Sequence, residues 1–374
     1  MINQIEPSFG EEERKAVNKY MKSVESGECW LTEHAQTRKF EVNIAKYLHV
    51  KHCSVVANGT VAISLALYAC GIKPGDEIIV PAYTFIASAT ACEPLGAKVV
   101  FCDVEKDTLC MDYGEFKSKV TPKTKAVILV SMNARYPSRI KEIIRFCRIA
   151  GIKVIEDAAQ ALGSKAHGKY LGTFGDIGCF SFSMPKIIST GQGGACVTNN
   201  TELWEKMKKI RNFGRDTGNS DNFVMKGWNF KTTDIQSVIG MEQLKKLNVR
   251  IKKKKHIAAL YTKLLKGVKH VKATIPYIYT IPIGKETAIC SYDILVRDYI
   301  ERNSLMIHLK MDGIGTRPFY PPLHSCPAYG QNGKFPVTEE ICDRGLWLPS
   351  SLNLTDDQIK YIVSKIKEYY DRVE

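Results

Sequence analysis

Between about Glu11 and Val197, amphipathic stretches alternate with short apolar runs bounded by turn residues. The runs His52–Ala57, Glu77–Pro81, Lys98–Cys102, Ala126–Ser131, Lys153–Glu156, Ile177–Phe182 and Gly194–Thr198 predict strands. Several are continuous and β-branched, as strands covered on both faces are. Helices are predicted between them. Gly59–Cys70 is apolar at helical spacing and stops at Gly71, Phe85–Leu95 is similar, and Arg139–Ala150 carries a Lys/Arg-studded outer face before Gly151. Such alternation is the signature of an α/β fold.

After Thr198 the texture changes to a charged helix, Thr201–Asn212, and then to the Gly/Asn/Asp-rich segment Gly214–Asn222, an ordered or a flexible loop. A helix over Thr233–Leu247 runs into the basic tract Arg250–Lys255. That tract predicts the start of a smaller α+β unit containing Ile289–Val296, Thr316–His324 and a closing helix, Thr355–Tyr370. A chain of 374 residues exceeds the usual ceiling for one compact core, and the expected division is 1–247 and 248–374.

With 44% hydrophobic and 25% charged residues, intrinsic disorder is excluded as the main state. The first ten residues have neither the basic nor the apolar region of a secretory signal, and no apolar stretch is long enough for a bilayer, so a cytoplasmic location is expected. Twelve cysteines are scattered from Cys29 to Cys342 without a C-x-x-C pair or a nearby His, which predicts reduced, mostly buried thiols and no metal site. The net charge of +14 raises a nucleic-acid reading, with Lys206–Lys209 and Lys252–Lys255 as phosphate contacts. Against it, those lysines lie at helical spacings among Leu, Ile and Met, as a solvated face does.

Three places carry chemistry. Val55-Val-Ala-Asn-Gly-Thr60 delivers a strand through a small turn into a helix, where backbone N–H groups and a Thr hydroxyl suit a phosphate, or where Thr60 only caps the helix. Lys153-Val-Ile-Glu-Asp157-Ala-Ala-Gln160 ends a buried strand in two carboxylates. There an aspartate can hold a cationic ring nitrogen or a metal, or simply start the next helix; the absence of a nearby His or Cys favours the organic cation. Gly178-Cys-Phe-Ser181-Phe-Ser-Met-Pro-Lys186 places one lysine between an aromatic strand and a Gly/Ser/Thr-rich turn. A lysine among apolar walls deprotonates more easily and can form a Schiff base, the alternative being one more surface lysine.

Jointly, a phosphate cradle, an acid for a ring nitrogen and a Schiff-base lysine are what pyridoxal phosphate requires. The stretch Val154 to Thr198, with E-D-A-A-Q, L-G-T-F-G-D-I-G, F-S-F and K-I-I-S-T-G-Q-G-G, resembles the DegT/DnrJ/EryC1/StrS family of nucleotide-sugar aminotransferases. W-L-T at Trp30, N-G-T at Asn58, P-A-Y-T-F at Pro81, G-W-N-F at Gly227, I-Q-S-V-I-G at Ile235 and T-R-P-F-Y-P-P-L-H at Thr316 extend the resemblance over nearly the whole chain.

The resemblance implies the aspartate-aminotransferase fold (fold type I), a large mostly parallel sheet domain plus a small C-terminal α+β domain, in a homodimer with shared active sites. It implies Lys186 as Schiff-base lysine and proton shuttle, and Asp157 as the partner of the pyridine nitrogen. Phe85 is implied to stack on the ring and Gln160 to sit near its phenolic oxygen. Gly59, Thr60 and Ser181 are implied to hold the phosphate, with Asn229 reaching it from the neighbouring subunit. Arg317, Tyr320 and His324 are implied sugar or diphosphate contacts, with a packed or capping histidine as the alternative for His324.

Relatives with His in place of the lysine perform dehydration, so Lys186 points to transamination. Glutamate is the expected donor, and the expected acceptor is a keto-sugar on a nucleoside diphosphate. K-I-I-S-T-G-Q-G-G is most similar to the K-I-I-T-T-G-E-G-G of enzymes acting at C4 of 4-keto-6-deoxy sugars; a 3-aminotransferase or a dehydratase of the same fold is the alternative. Three departures from the family pattern concern the substrate: Val130-Ser-Met-Asn-Ala-Arg-Tyr-Pro137 for V-H-L-Y-G-Q-P, His34-Ala35 for G-P, and Gln192 for Glu.

Overall fold

The computed structural model describes residues 1–218, 220–266, 268, 271–273 and 286–373. Seven strands form the large sheet: β1 (His52–Val56), β2 (Glu77–Pro81), β3 (Lys98–Cys102), β4 (Thr124–Val130), β5 (Lys153–Asp157), β8 (Ile177–Ser181) and β9 (Gly194–Thr198). A two-stranded ribbon, β6 (Lys165–Ala166) and β7 (Lys169–Tyr170), lies between β5 and β8 in sequence. The order is β1-β9-β8-β5-β4-β2-β3, parallel throughout except that β9 runs against both neighbours. Each predicted strand is present within two residues of its expected bounds.

Side chains alternate between the two faces, as strand geometry requires. In β4, Ala126, Ile128 and Val130 join one apolar core with the helix Gly59–Ala69, while Val127 and Leu129 join the other with Phe40, Ile143 and Cys147. Burial on both faces explains the unbroken apolar runs.

Register places the chemistry. Val130 pairs with Asp157, Asp157 with Cys179, Ser181 with Gly194, and Gly194 with Val56. The segments after β1, β4, β5 and β8 therefore leave the sheet at one edge, where ligands bind in open α/β sheets.

The C-terminal part has its own antiparallel sheet, ordered β10 (Lys272–Ala273), β11 (Tyr292–Leu295), β13 (Gly345–Leu348), β12 (Arg317–Pro318). Helices Leu247–Leu265 and Asp356–Val373 cover it through a third core. Leu247 packs in the large-sheet core and Ile257 in the small-sheet core, so one helix spans both. Phe319, Leu323, Phe335 and Trp347 meanwhile pack into the large sheet's core.

One expectation changes, and one left open between two alternatives gains its geometry. The helix over Phe85–Leu95 is a four-residue helix, Ala87–Thr90, and a 3-10 turn, Glu93–Leu95, because Pro94 cannot continue an α-helical ladder. The segment after Gly214 is tied back on itself, with Asp216 N donating to Asn222 O at 3.0 Å and Arg215 bridging Phe223.

The L-G-T-F-G-D-I-G motif is packing chemistry. Buried Glu156 accepts the N–H groups of Gly172 (2.8 Å) and Gly175 (2.6 Å), and a Cβ on Gly178 would lie 1.8 Å from the Gly172 carbonyl oxygen. Gly178→Ala must push backbone from backbone; a loss of about 3 kcal/mol is expected in urea unfolding, and a loss under 1 kcal/mol would contradict this packing.

Candidate active site

Each segment that leaves the sheet edge contributes one element of the site. At the end of β1, the Asn58 side chain caps the helix Gly59–Ala69 by accepting the Val61 N–H at 2.9 Å, and its carbonyl takes the Ala62 N–H. The Gly59 and Thr60 N–H groups have no intrahelical acceptor. A Cβ on Gly59 would fall 2.8 Å from Ser181 Cβ, so only glycine lets the helix start meet the end of β8 this closely. Ser181 Oγ lies 3.2 Å from Ser183 Oγ and accepts the Ser183 N–H at 3.3 Å. Open N–H donors and two hydroxyls thus converge on one small volume of the kind that takes a phosphate.

The two carboxylates ending β5 point opposite ways. Glu156 is fixed by the glycine loop, and burial pushes its carboxyl pKa up. Asp157, 7% exposed, faces the site: Oδ2 accepts the Ser88 hydroxyl at 2.6 Å and Oδ1 accepts the Ala159 N–H at 3.1 Å. Thr84 orients Ser88 through a 2.8 Å hydroxyl contact. A carboxylate held by two such donors is oriented, and can pair with a ring N–H.

Lys186 follows β8 in a loop closed by Phe182 N to Gly193 O (2.8 Å) and Thr190 N to Phe182 O (2.9 Å), with its own N–H on Ser183 O. It is half-buried, in a cavity lined also by Asn133, Gln160, Cys290, Arg317, Tyr320 and Trp347, and by Gln4 and Ile5 from the N-terminal segment. The walls mix apolar and polar groups, unlike the apolar enclosure expected for this lysine. Tyr320 packs on Trp347 with centroids 4.7 Å apart and lies 5.4 Å from the half-exposed ring of Phe85. Burial pushes the Tyr320 phenol up to about 12 despite Arg317 beside it. Gln160 is anchored by Asn133, whose backbone N–H donates to Gln160 Oε1 at 2.7 Å.

Lys186, Gln160, Arg317 and Tyr320 thus share one cavity, and Phe85 packs beside its Tyr320. His324 is placed elsewhere. It is 4% exposed, packs on Phe335 with centroids 4.2 Å apart, sets Nε2 3.2 Å from Glu339 and does not line the Lys186 cavity. Asn229 is exposed and outside the cavity lining, in a segment bound to the end of β1 through Ala57 N and Phe230 O at 3.0 Å.

Residues 7–367 match the DegT/DnrJ/EryC1/StrS aminotransferase family. The chain belongs to this family. It is 36% identical to a GDP-perosamine synthase of Escherichia coli O157:H7 over 372 residues, 99% of this chain and 98% of that one. It is 33% identical to a UDP-N-acetyl-3-dehydro-alpha-D-glucosamine 3-aminotransferase of Acidithiobacillus ferrooxidans, covering 89% of this chain and 88% of that one. Among solved structures, the aminotransferase TlmJ of Streptoalloteichus hindustanus superposes with a TM-score of 0.92 at 30% identity, covering 100% of both chains. The aminotransferase family is pyridoxal-phosphate-dependent, and the residues at this sheet edge fit that cofactor: a glycine-shaped anion cradle, a buried oriented carboxylate and an accessible lysine.

Several residues of this family member escape local pattern reading. Arg135 and Asp293 form a buried bidentate ion pair, 2.8 and 2.7 Å, between the loop after β4 and β11 of the small sheet. Burial opposes the charge on Arg135, but Asp293 holds its pKa above the ordinary range. The segment carrying Asn133 and Arg135 is legible as a departure from the family pattern, whereas nothing local marks Asp293 or Trp347.

Lys254 corrects the solvated-face reading of the basic tract. Of Arg250–Lys255 only Lys252 is exposed; Lys254 is 7% exposed and donates to the carbonyls of Cys290 and Ser350, each at 2.5 Å. Burial pushes its ammonium down to about 8 from an ordinary 10.5. Between those values the unfolded chain binds the proton and the folded one does not, so the Lys254 penalty is full below pH 8 and lifts toward pH 10.5. In urea unfolding, Lys254→Met should therefore lose ground to the parent by roughly 3 kcal/mol as pH rises across that window; a pH-independent difference would contradict the burial.

Proposed function

We propose that this aminotransferase moves an amino group from glutamate to C4 of a nucleoside-diphosphate-linked 4-keto-6-deoxyhexose, giving the 4-amino-4,6-dideoxy sugar. The observation that carries the reading is Lys186 in the cavity with Arg317 and Tyr320, at the sheet edge that also bears Asp157 and the Gly59–Ser181 cradle. Pyridoxal phosphate supplies an electrophilic carbon for the exchange of amines and a ring that accepts the electron pair released at the reacting carbon.

The chain's own groups do the rest. Lys186 Nζ would hold the cofactor's electrophilic carbon, and as a free amine it would carry the proton between the two carbons of the transfer. Asp157, fixed by Ser88 and the Ala159 N–H, holds the proton on the ring nitrogen. Gly59, Thr60 and Ser181 would bind the cofactor's phosphate, Phe85 would stack on its ring, and Gln160 would donate to its phenolic oxygen. In a homodimer, Asn229 of each chain reaches the phosphate of the other. Arg317 and Tyr320 contact the sugar or its diphosphate; buried His324 faces Phe335 and Glu339 instead.

Similarity to a GDP-perosamine synthase supports the C4 assignment, since perosamine is a 4-amino-4,6-dideoxyhexose. Similarity to a 3-aminotransferase keeps C3 as the second reading. Incubation with glutamate and a panel of nucleoside-diphosphate 4-keto-6-deoxy sugars, followed by NMR assignment of the amino carbon, separates the two.

The protein loaded with pyridoxal phosphate should absorb in the visible, and borohydride should fix the cofactor on Lys186 in a peptide map. Lys186→Ala should abolish turnover; several equivalents of product from this variant would overturn the assignment. Asp157→Asn should keep the cofactor but lose activity by at least a hundredfold, because the phosphate contacts persist while the ring nitrogen loses its counter-charge; parental turnover would remove Asp157 from the mechanism.

A further inference from the structure

Asn133, 2% exposed, lines the cavity that holds Lys186, with φ +49°. Asparagine is among the few residues that adopt this left-handed conformation readily. Its side chain is fully engaged with the C-terminal sheet: Oδ1 accepts the N–H groups of Cys290 (2.7 Å) and Ser291 (3.0 Å), while Nδ2 donates to Ser291 O (2.6 Å) and Asp293 Oδ2 (3.0 Å). Arg135 pins that same Asp293. So held, the Asn133 backbone N–H is aimed at Gln160 Oε1 at 2.7 Å.

This last contact has a chemical consequence. A backbone N–H can only donate, so the Gln160 atom facing it must be the oxygen, and the amide nitrogen is turned the other way. We propose that Asn133 is a positioning residue: it orients the Gln160 amide so that an N–H, not an oxygen, faces the cofactor's phenolic oxygen. The inference rests on the Gln160 role given above. Were the amide reversed, an acceptor would meet an anionic oxygen and repel it. In the correct sense the donor stabilises the phenolate, weakening its hold on the proton of the neighbouring nitrogen that joins cofactor and Lys186. Asn133 therefore keeps the pKa of that nitrogen low.

The test is a pH titration of the visible band of cofactor-loaded protein in a double-mutant cycle. Asn133→Gly tolerates the left-handed backbone but frees it from the C-terminal sheet; Gln160→Leu removes the donor. Each should raise the pKa of the band by about one unit, roughly tenfold in the protonation equilibrium, and the double variant should match Gln160→Leu alone. If Asn133→Gly leaves the titration unchanged, or shifts it equally in the Gln160→Leu background, the inference is overturned. Should Asn133→Gly fail to fold, Gln160→Glu decides: it still accepts the Asn133 N–H but offers no donor, so its pKa must rise at least as far as that of Gln160→Leu, and a parental value overturns the proposal. Absence of any visible band in the parent would instead defeat the cofactor reading itself.

Discussion

The ion pair between Arg135 and Asp293 is the contact on which the site's geometry depends. Both side chains are almost wholly out of water, and the pair joins the loop after β4 to the small sheet with two parallel hydrogen bonds. Deleting one partner of such a pair strands a charge in the interior, at a typical cost of about 3–5 kcal/mol. Attraction alone does not explain placing an ion pair here, since an apolar pair of equal volume could hold the parts together as firmly. Planar, bidentate geometry does something packing cannot: it fixes the angle between the two parts and hence the direction of the Asn133 amide.

Around that clamp the large sheet acts as a registered edge. Parallel strands end side by side, so residues remote in sequence leave the sheet within one small region, and the reversed β9 returns Gly194 to the same place. Close approach is secured by missing side chains: Gly59 against Ser181, and Gly194, whose Cβ would lie 2.5 Å from the backbone of Asn58. Electrostatics then follow from orientation. Asp157 and Glu156 are neighbours in sequence, yet strand alternation gives one to the site and the other to a structural loop.

Much of this was legible in the sequence because it is local. Seven strands announce themselves as apolar runs, and the lysine, the aspartate and the glycine turn lie within short motifs that their chemistry explains. What stayed hidden is what only the fold brings together. Asp293 reads as an ordinary acid in a strand, Trp347 belongs to a four-residue strand that follows its helix directly, and Gln4 and Ile5 reach the cavity from the far end of the chain. Lys254 misleads for the opposite reason, because its basic neighbours make a solvated face the natural reading. The excess charge likewise loses its weight: Lys206, Lys208 and Lys209 each pair with a carboxylate within a few residues.

The separation of Asn133 from Asp293, 160 residues, also bears on the order in which the protein becomes competent during its own synthesis. The ribosome releases the lysine, the aspartate and the anion turn well before the strand that carries Asp293, and domains fold as they emerge. A nascent chain can thus display Lys186, Asp157 and the Gly59–Ser181 turn before the Asn133 side chain has its partners Ser291 and Asp293. The contacts that hold Asn133, and through its N–H the Gln160 amide oxygen, are therefore completed only with the last quarter of the polypeptide.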